Sequence, residues 1–283
     1  MVEISARDLP GGLTTVIRPT SGWVPLGLRD LRAYHELLYF LTWRNLKVRY
    51  KQTALGAAWA ILQPLATMLV FTLFFGKLAR VPSDGHPYAI FSYTALVPWT
   101  YFANALTQAS NSLVEHERLV TKVYFPRLLL PLSSVLAGLV DFAIAFVVLM
   151  GLGIHFAVEP SIRMLALPLL VLLMVASALG AALWLSALNV QYRDVRYVTP
   201  FLIQFWLFVT PVAYPSSLIP ARWHAVYGLN PMAGVVEGFR WTLLGTASPV
   251  VPVILSSLAT ATVILLGGLY YFRRMERTFA DVV

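Results

Sequence analysis

Apolar stretches free of Asp, Glu, Lys and Arg recur along the chain. They cover residues 52–76, 88–112, 128–154, 164–190, 197–218 and 250–272, and Asp141 alone interrupts one of them. About 20 residues cross a hydrocarbon layer of roughly 30 Å at 1.5 Å per residue, so each stretch is long enough to span. None shows sustained alternation with period two, which favours helices over a barrel. The pattern predicts an all-α polytopic membrane protein with six transmembrane helices, the first beginning near residue 55.

Two further periodic segments flank these spans. Arg44, Lys47 and Lys51 recur at i, i+3 and i+7, while Tyr39, Trp43, Leu46 and Tyr50 recur at i, i+4, i+7 and i+11. At 100° per residue the two sets fall on opposite faces, which predicts an amphipathic interfacial helix within 29–51. A plain membrane anchor and a helix that also touches a cytoplasmic partner both fit. Between spans five and six, Asn230-Pro231 reads as an N-cap with proline at the first helical position. Met232, Val235, Val236, Phe239 and Leu243 follow at helical spacing, and Gly245 is a stop signal. Such a helix is too short to span. It can dip into the bilayer, pack across the bundle mouth, or lie on the outer interface.

Charge then orients the chain. Only 12% of the residues are charged, against about 25% in soluble domains, and 58% are hydrophobic. Of 21 Lys and Arg, 16 fall in the N-terminal 52 residues, the connections after spans two and four, and the C-terminal tail. The positive-inside rule places that side, and both termini, in the cytoplasm. The net charge of +8 is accounted for by the membrane, without nucleic acid. The first 50 residues hold no apolar core followed by a small-residue cleavage site, so no cleavable signal peptide is expected.

The connection after span two is compact and carries both signs. Glu115, Arg118 and Lys122 lie at i, i+3 and i+7, which predicts one face of a short helix ended by Pro126. Glu117, Tyr124, Phe125 and Arg127 complete the segment. A hydrated turn fits it, and so does a docking surface with aromatic contacts. The connection after span four, with Arg193, Asp194 and Arg196, has a similar make-up.

Several chemistries are excluded. There is no cysteine, hence no disulfide, thiolate ligand or cysteine nucleophile. Gly76-Lys77 lacks the upstream glycine and following Ser/Thr of a P-loop, and no metal-binding spacing appears among the five histidines. No catalytic residue, metal or cofactor is expected in this chain. Asp141 is an ionisable residue inside a span, by default a functional candidate, with a hydrogen-bonded packing residue as the other reading. On the functional reading, an ion-coupled carrier or a lipid-modifying enzyme would rest on it.

An ordered set of motifs resembles one family. It comprises Trp43-Arg44-Asn45-Leu46-Lys47-Val48-Arg49-Tyr50-Lys51-Gln52, Leu55-Gly56, Trp59, Leu62-Gln63-Pro64-Leu65, Val97-Pro98-Trp99, Val123-Tyr124-Phe125-Pro126-Arg127, Asn189 to Val195, and Leu229-Asn230-Pro231-Met232. Together they resemble the membrane subunit of bacterial type-2 ABC exporters for lipid-linked polysaccharide, the permeases of O-antigen, capsule and teichoic acid. The resemblance covers roughly residues 29–275; it implies a transmembrane domain over 29–283 and leaves 1–28 as an N-terminal cytoplasmic extension. It implies a homodimer paired with two copies of a separate ATPase subunit, which binds ATP and Mg. ATPase coupling would fall to Glu115, Glu117, Arg118, Lys122, Tyr124, Phe125, Pro126, Arg127, Arg193, Asp194 and Arg196. Trp59, Trp206 and Tyr214 would line the channel, and Asn230, Pro231 and Phe239 would belong to a gate helix. The substrate implied is lipid-linked polysaccharide, O-antigen first, moving from cytoplasm to periplasm across the inner membrane. A drug or lipid permease of the same fold is the alternative.

Overall fold

A computed structural model describes residues 32–51, 58–246 and 250–279. The extension at 1–28 and the first residues of the first predicted span lie outside these. All regular structure among the described residues is helical, with no strand among them. In chain order the α-helices are α1 His35–Lys51, α2 Ala58–Phe71, α3 Tyr88–Glu115, α4 Glu117–Lys122, α5 Leu129–His155, α6 Leu167–Gln191, α7 Val195–Val209, α8 His224–Tyr227, α9 Pro231–Leu243 and α10 Val250–Met275.

Four helical stretches are long and apolar enough to cross a membrane: Ala58–Leu78, Leu129–His155, Ile162–Gln191 and Val251–Met275. The first continues α2 through a π-helical turn at Thr72–Leu78. The second predicted span is helix α3, of 28 residues and about 42 Å. It is more polar than the four because it is the central helix. It packs against α2, α5, α6, α7 and α9, and buries Ser92, Thr94, Ser110 and Ser112 along with its apolar residues. A helix surrounded by protein is not held to the composition that lipid demands.

The fifth span departs from expectation. It was predicted to run to residue 218, but α7 stops at Val209 after 15 residues. Pro211 lacks the N–H that would continue the ladder and disfavours helix at Thr210, which is extended (ψ 141°). Pro211 ends the helix, whereas Pro200 lies inside it.

Helices α6 and α10 approach closely. A Cβ on Gly180 would lie 2.9 Å from the Leu265 backbone, and one on Gly268 would lie 2.8 Å from the Gly180 carbonyl. Small residues permit this contact where lipid supplies no hydrophobic drive between helices. The Trp184 indole seals the seam. It donates to the Ile264 carbonyl at 3.1 Å and stacks on Tyr271 at 4.8 Å.

Apolar packing divides into two clusters. The larger fills the bundle around α3, α6 and α9. The smaller joins Leu41 of α1, Leu113, Val120, Phe125, Leu128 to Leu130, Leu183, Ala187, Val190, Phe272 and Phe279. It gathers the first and last described segments at one end of the bundle, here termed the charged end. Helices α8 and α9 lie at the far end.

Candidate functional site

At the charged end the connection after α3 is broken into two pieces. Helix α3 ends at Glu115, His116 leaves helical geometry (φ −112°, ψ 30°), and α4 resumes at Glu117. Glu115 therefore does not share a helix with Arg118 and Lys122, as its spacing suggested. Helix α4 ends at Lys122, with Val123 extended, before Pro126 is reached. His116 is a fixed joint. Its Nδ1 donates to the Ser112 carbonyl at 2.8 Å, which leaves Nε2 to accept from the Arg44 guanidinium of α1. Burial lowers the Arg44 pKa from its ordinary value, yet arginine stays charged at physiological pH.

The eight residues assigned to this segment divide by exposure. Glu115, Glu117, Arg118 and Lys122 are exposed, and Tyr124 is 73% exposed. Phe125 and Pro126 are buried, Phe125 in the smaller cluster. Arg127 turns inward: its backbone N–H donates to Glu276 Oε1 at 2.8 Å and its guanidinium to the Glu276 carbonyl. The aromatic pair is thus not one docking surface. Tyr124 is presented, while Phe125, Pro126 and Arg127 hold the presented part to the bundle and to the C-terminal turn. Arg193 and Asp194, between α6 and α7, and Arg196, in the first turn of α7, are all exposed. Just inside the bundle, Asn189 Nδ2 donates to the Ser110 carbonyl at 2.9 Å and to Asn111 Oδ1 at 3.0 Å. The two connections leave from helices that are tied together.

Helix α1 is amphipathic in a different sense from the expected one. Tyr39 and Trp43 are exposed, and Lys47 lies 5.7 Å from the Trp43 ring. Lys51 is exposed as well. Tyr50, grouped by its spacing with Tyr39 and Trp43, instead donates to Asp141 of α5. Arg49 pairs with the other oxygen of Asp141 and donates to Gln108 of α3. Asn45 Nδ2 donates to Ser133 Oγ of α5 at 3.2 Å. The helix therefore climbs along α5, and Asp141 is its counter-charge. That is the packing reading of Asp141, with a partner in α1.

The far end is built on a second ion pair. Asn230 caps α9, accepting from the Met232 N–H at 3.1 Å, and Gly245 takes the left-handed conformation (φ 71°) beyond its end. Every residue of α9 from Pro231 to Arg240 is buried, Phe239 included, so α9 is an inserted helix and not a surface one. Glu237 and Arg240 pair at 3.0 Å with 2% and 0% side-chain exposure. Arg240 also donates to the Tyr214 carbonyl (3.2 Å) and the Val212 carbonyl (2.8 Å), and sits 3.6 Å over the Phe91 ring. It thereby satisfies two carbonyls of the non-helical segment that follows α7. Sequence reading missed this pair. The signal was Glu-x-x-Arg on one helix face.

The three channel candidates differ in surroundings. Trp59 is 56% exposed on α2. Trp206 Nε1 donates to Asn230 Oδ1 at 2.8 Å, linking α7 to the cap of α9. Tyr214 donates to the Phe208 carbonyl at 3.1 Å and accepts from the Tyr227 hydroxyl at 3.0 Å. Trp206 and Tyr214 are thus fasteners of the far end. Among the described residues no group of three or more His, Asp or Glu converges as a metal site.

Comparison with known proteins places this architecture. A model of the ABC-2 type transporter family matches residues 36–244. The chain is 29% identical to the O-antigen export system permease protein RfbA of Myxococcus xanthus, over 90% of this chain and 98% of that protein. It is 28% identical to RfbA of Klebsiella pneumoniae, over 88% and 95%. It is 23% identical to the polysialic acid transport protein KpsM of Escherichia coli, over 82% and 91%.

Proposed function

The chain belongs to the ABC-2 type transporter family, and on that premise we propose that it is the permease of an ATP-driven exporter of lipid-linked polysaccharide, O-antigen in particular. The observation that carries the reading is the extent of the likeness: O-antigen permeases align over nearly their full length. In this reading the protein is a multi-pass inner-membrane subunit and itself catalyses no chemistry. ATP and Mg bind a separate ATPase, two copies of which pair with a homodimer of this chain.

The six crossings are α2, α3, α5, α6, α7 and α10. An even number agrees with the meeting of Leu41 and Phe279 in one cluster. The charged end faces the cytoplasm. Glu115, Glu117, Arg118, Lys122 and Tyr124, with Arg193, Asp194 and Arg196, form the surface that receives the ATPase. Closure of the ATPase dimer pushes on α4, and the tied helices α3 and α6 carry the displacement. Helix α9 is the periplasmic gate. The exposed aromatics Trp59, Phe201 and Phe205 suit weak, repeated stacking against a sliding sugar chain.

The test is deletion of the gene in its own host, with surface polysaccharide read by gel and antiserum, together with co-purification of the neighbouring ATPase. Loss of surface polysaccharide, restored by the gene, is expected. Unchanged polysaccharide with a changed drug-sensitivity profile would favour the drug-permease reading.

A further inference from the structure

A cleft of about 260 Å³ opens above the Arg49–Asp141 pair, between α1, α2, α3 and α5. One wall is a polar ladder. Thr100, Asn104 and Gln108 lie four residues apart on α3, hence on one face over about 12 Å. The facing wall is Trp59 and Gln63, also four apart, on α2. Gln108 is engaged by Arg49. Among the described residues the side chains of Gln63, Thr100 and Asn104 have no hydrogen-bond partner. Free amides and a hydroxyl are costly at the depth of a span, and such groups mark a ligand path more often than packing.

The chemistry of the walls selects the ligand. Two amides and a hydroxyl offer donors and acceptors together, and Trp59 offers an aromatic face. The floor is neutral overall, because the Arg49 guanidinium is met by the Asp141 carboxylate. An anionic phosphate would find no unmatched cation there. A neutral ring with hydroxyls on its edge and C–H groups on its face matches all three features, and the volume suits one ring, not a folded chain. We propose that this cleft is a subsite for a single neutral sugar residue. The inference rests on the transport reading above and adds a place where one residue of the glycan is held, beside Trp59 of the aromatic path.

The experiment uses the full transporter in its host. A photoreactive p-benzoylphenylalanine replaces Thr100 in one strain and the exposed Leu172 of α6 in another. After irradiation the purified chain is probed with antiserum to the strain's own surface polysaccharide. A glycan-bearing band from position 100 and none from position 172 is expected. A cross-link from position 100 to phospholipid alone, or to a second copy of this chain, overturns the proposal.

A paired variant keeps the test decisive if the photoreactive group blocks transport. Gln63→Leu with Asn104→Leu suits helices in lipid and spares folding. Export should fall about tenfold, the loss of one or two net hydrogen bonds, with ATPase co-purification unchanged. Gln63→Asn with Asn104→Gln, which keep the amides, should recover most of it. Wild-type export by the leucine pair overturns the subsite. If gene deletion itself leaves surface polysaccharide unchanged, the transport reading has failed instead.

Discussion

The two ends of the bundle solve the same problem by different means. At the far end, a helix of 13 residues is inserted among the others and held by a buried Glu237–Arg240 pair with backbone carbonyls around it. At the charged end, a six-residue helix is held from beneath by Phe125 and Pro126, and its charges face outward. Polar groups are inside at one end and outside at the other. The lesson is that a charge count alone misreads both. Arg240 is a charge packed inside the bundle, whereas Phe125 is an aromatic packed inside the smaller cluster.

Mutations at each end should separate the two designs. The largest effect is expected from Glu237→Leu, which leaves Arg240 buried without its counter-charge. Loss of about 3–5 kcal/mol is expected, read as a fall in melting temperature in detergent. The double replacement with Arg240→Leu should cost less than the single one. If the two single effects simply add, the pair is not the fastener described here. Next comes Phe125→Ala, which removes a buried aromatic from the smaller cluster. A cost of about 3–5 kcal/mol is again the scale for such a site. It should be confined to the charged end, seen as faster hydrogen exchange in α4 with α9 unchanged. Uniform exchange through the bundle would erase the distinction between the two clusters.

Asn230→Ala should cost about 1 kcal/mol for the lost cap of α9. Trp206 also loses its acceptor, so a shift in tryptophan emission should accompany the change. Smallest in stability is the pair Arg118→Ala with Tyr124→Ala, within about 0.5 kcal/mol as for exposed positions. It should nonetheless reduce recovery of the ATPase in pull-downs. A pull-down at the wild-type level would move the docking surface elsewhere.

What could be read in advance was local. Asn230-Pro231 and Gly245 announce their helix because capping and stopping depend on a few adjacent residues. The spans were visible because lipid imposes length and composition on each one separately. Helix α7 was drawn too long because hydropathy persists through Thr210–Tyr214 while Pro211 has already ended the ladder. The Arg49–Asp141 pair joins positions 92 residues apart, and nothing in either neighbourhood names the other. Phe125 and Tyr124 are adjacent and both aromatic, and only the path of the backbone decides which one is presented.

One consequence follows from the length of α3. It runs without interruption from Tyr88, beside the far-end turn, to Glu115 at the foot. The Tyr88 hydroxyl holds the Ala213 carbonyl, and His116 at the other end holds Arg44. A rod gripped at both ends needs no relay of side chains between them. A tilt applied at the charged end would reach the far end as the swing of a lever, with the packed middle of the bundle as its fulcrum.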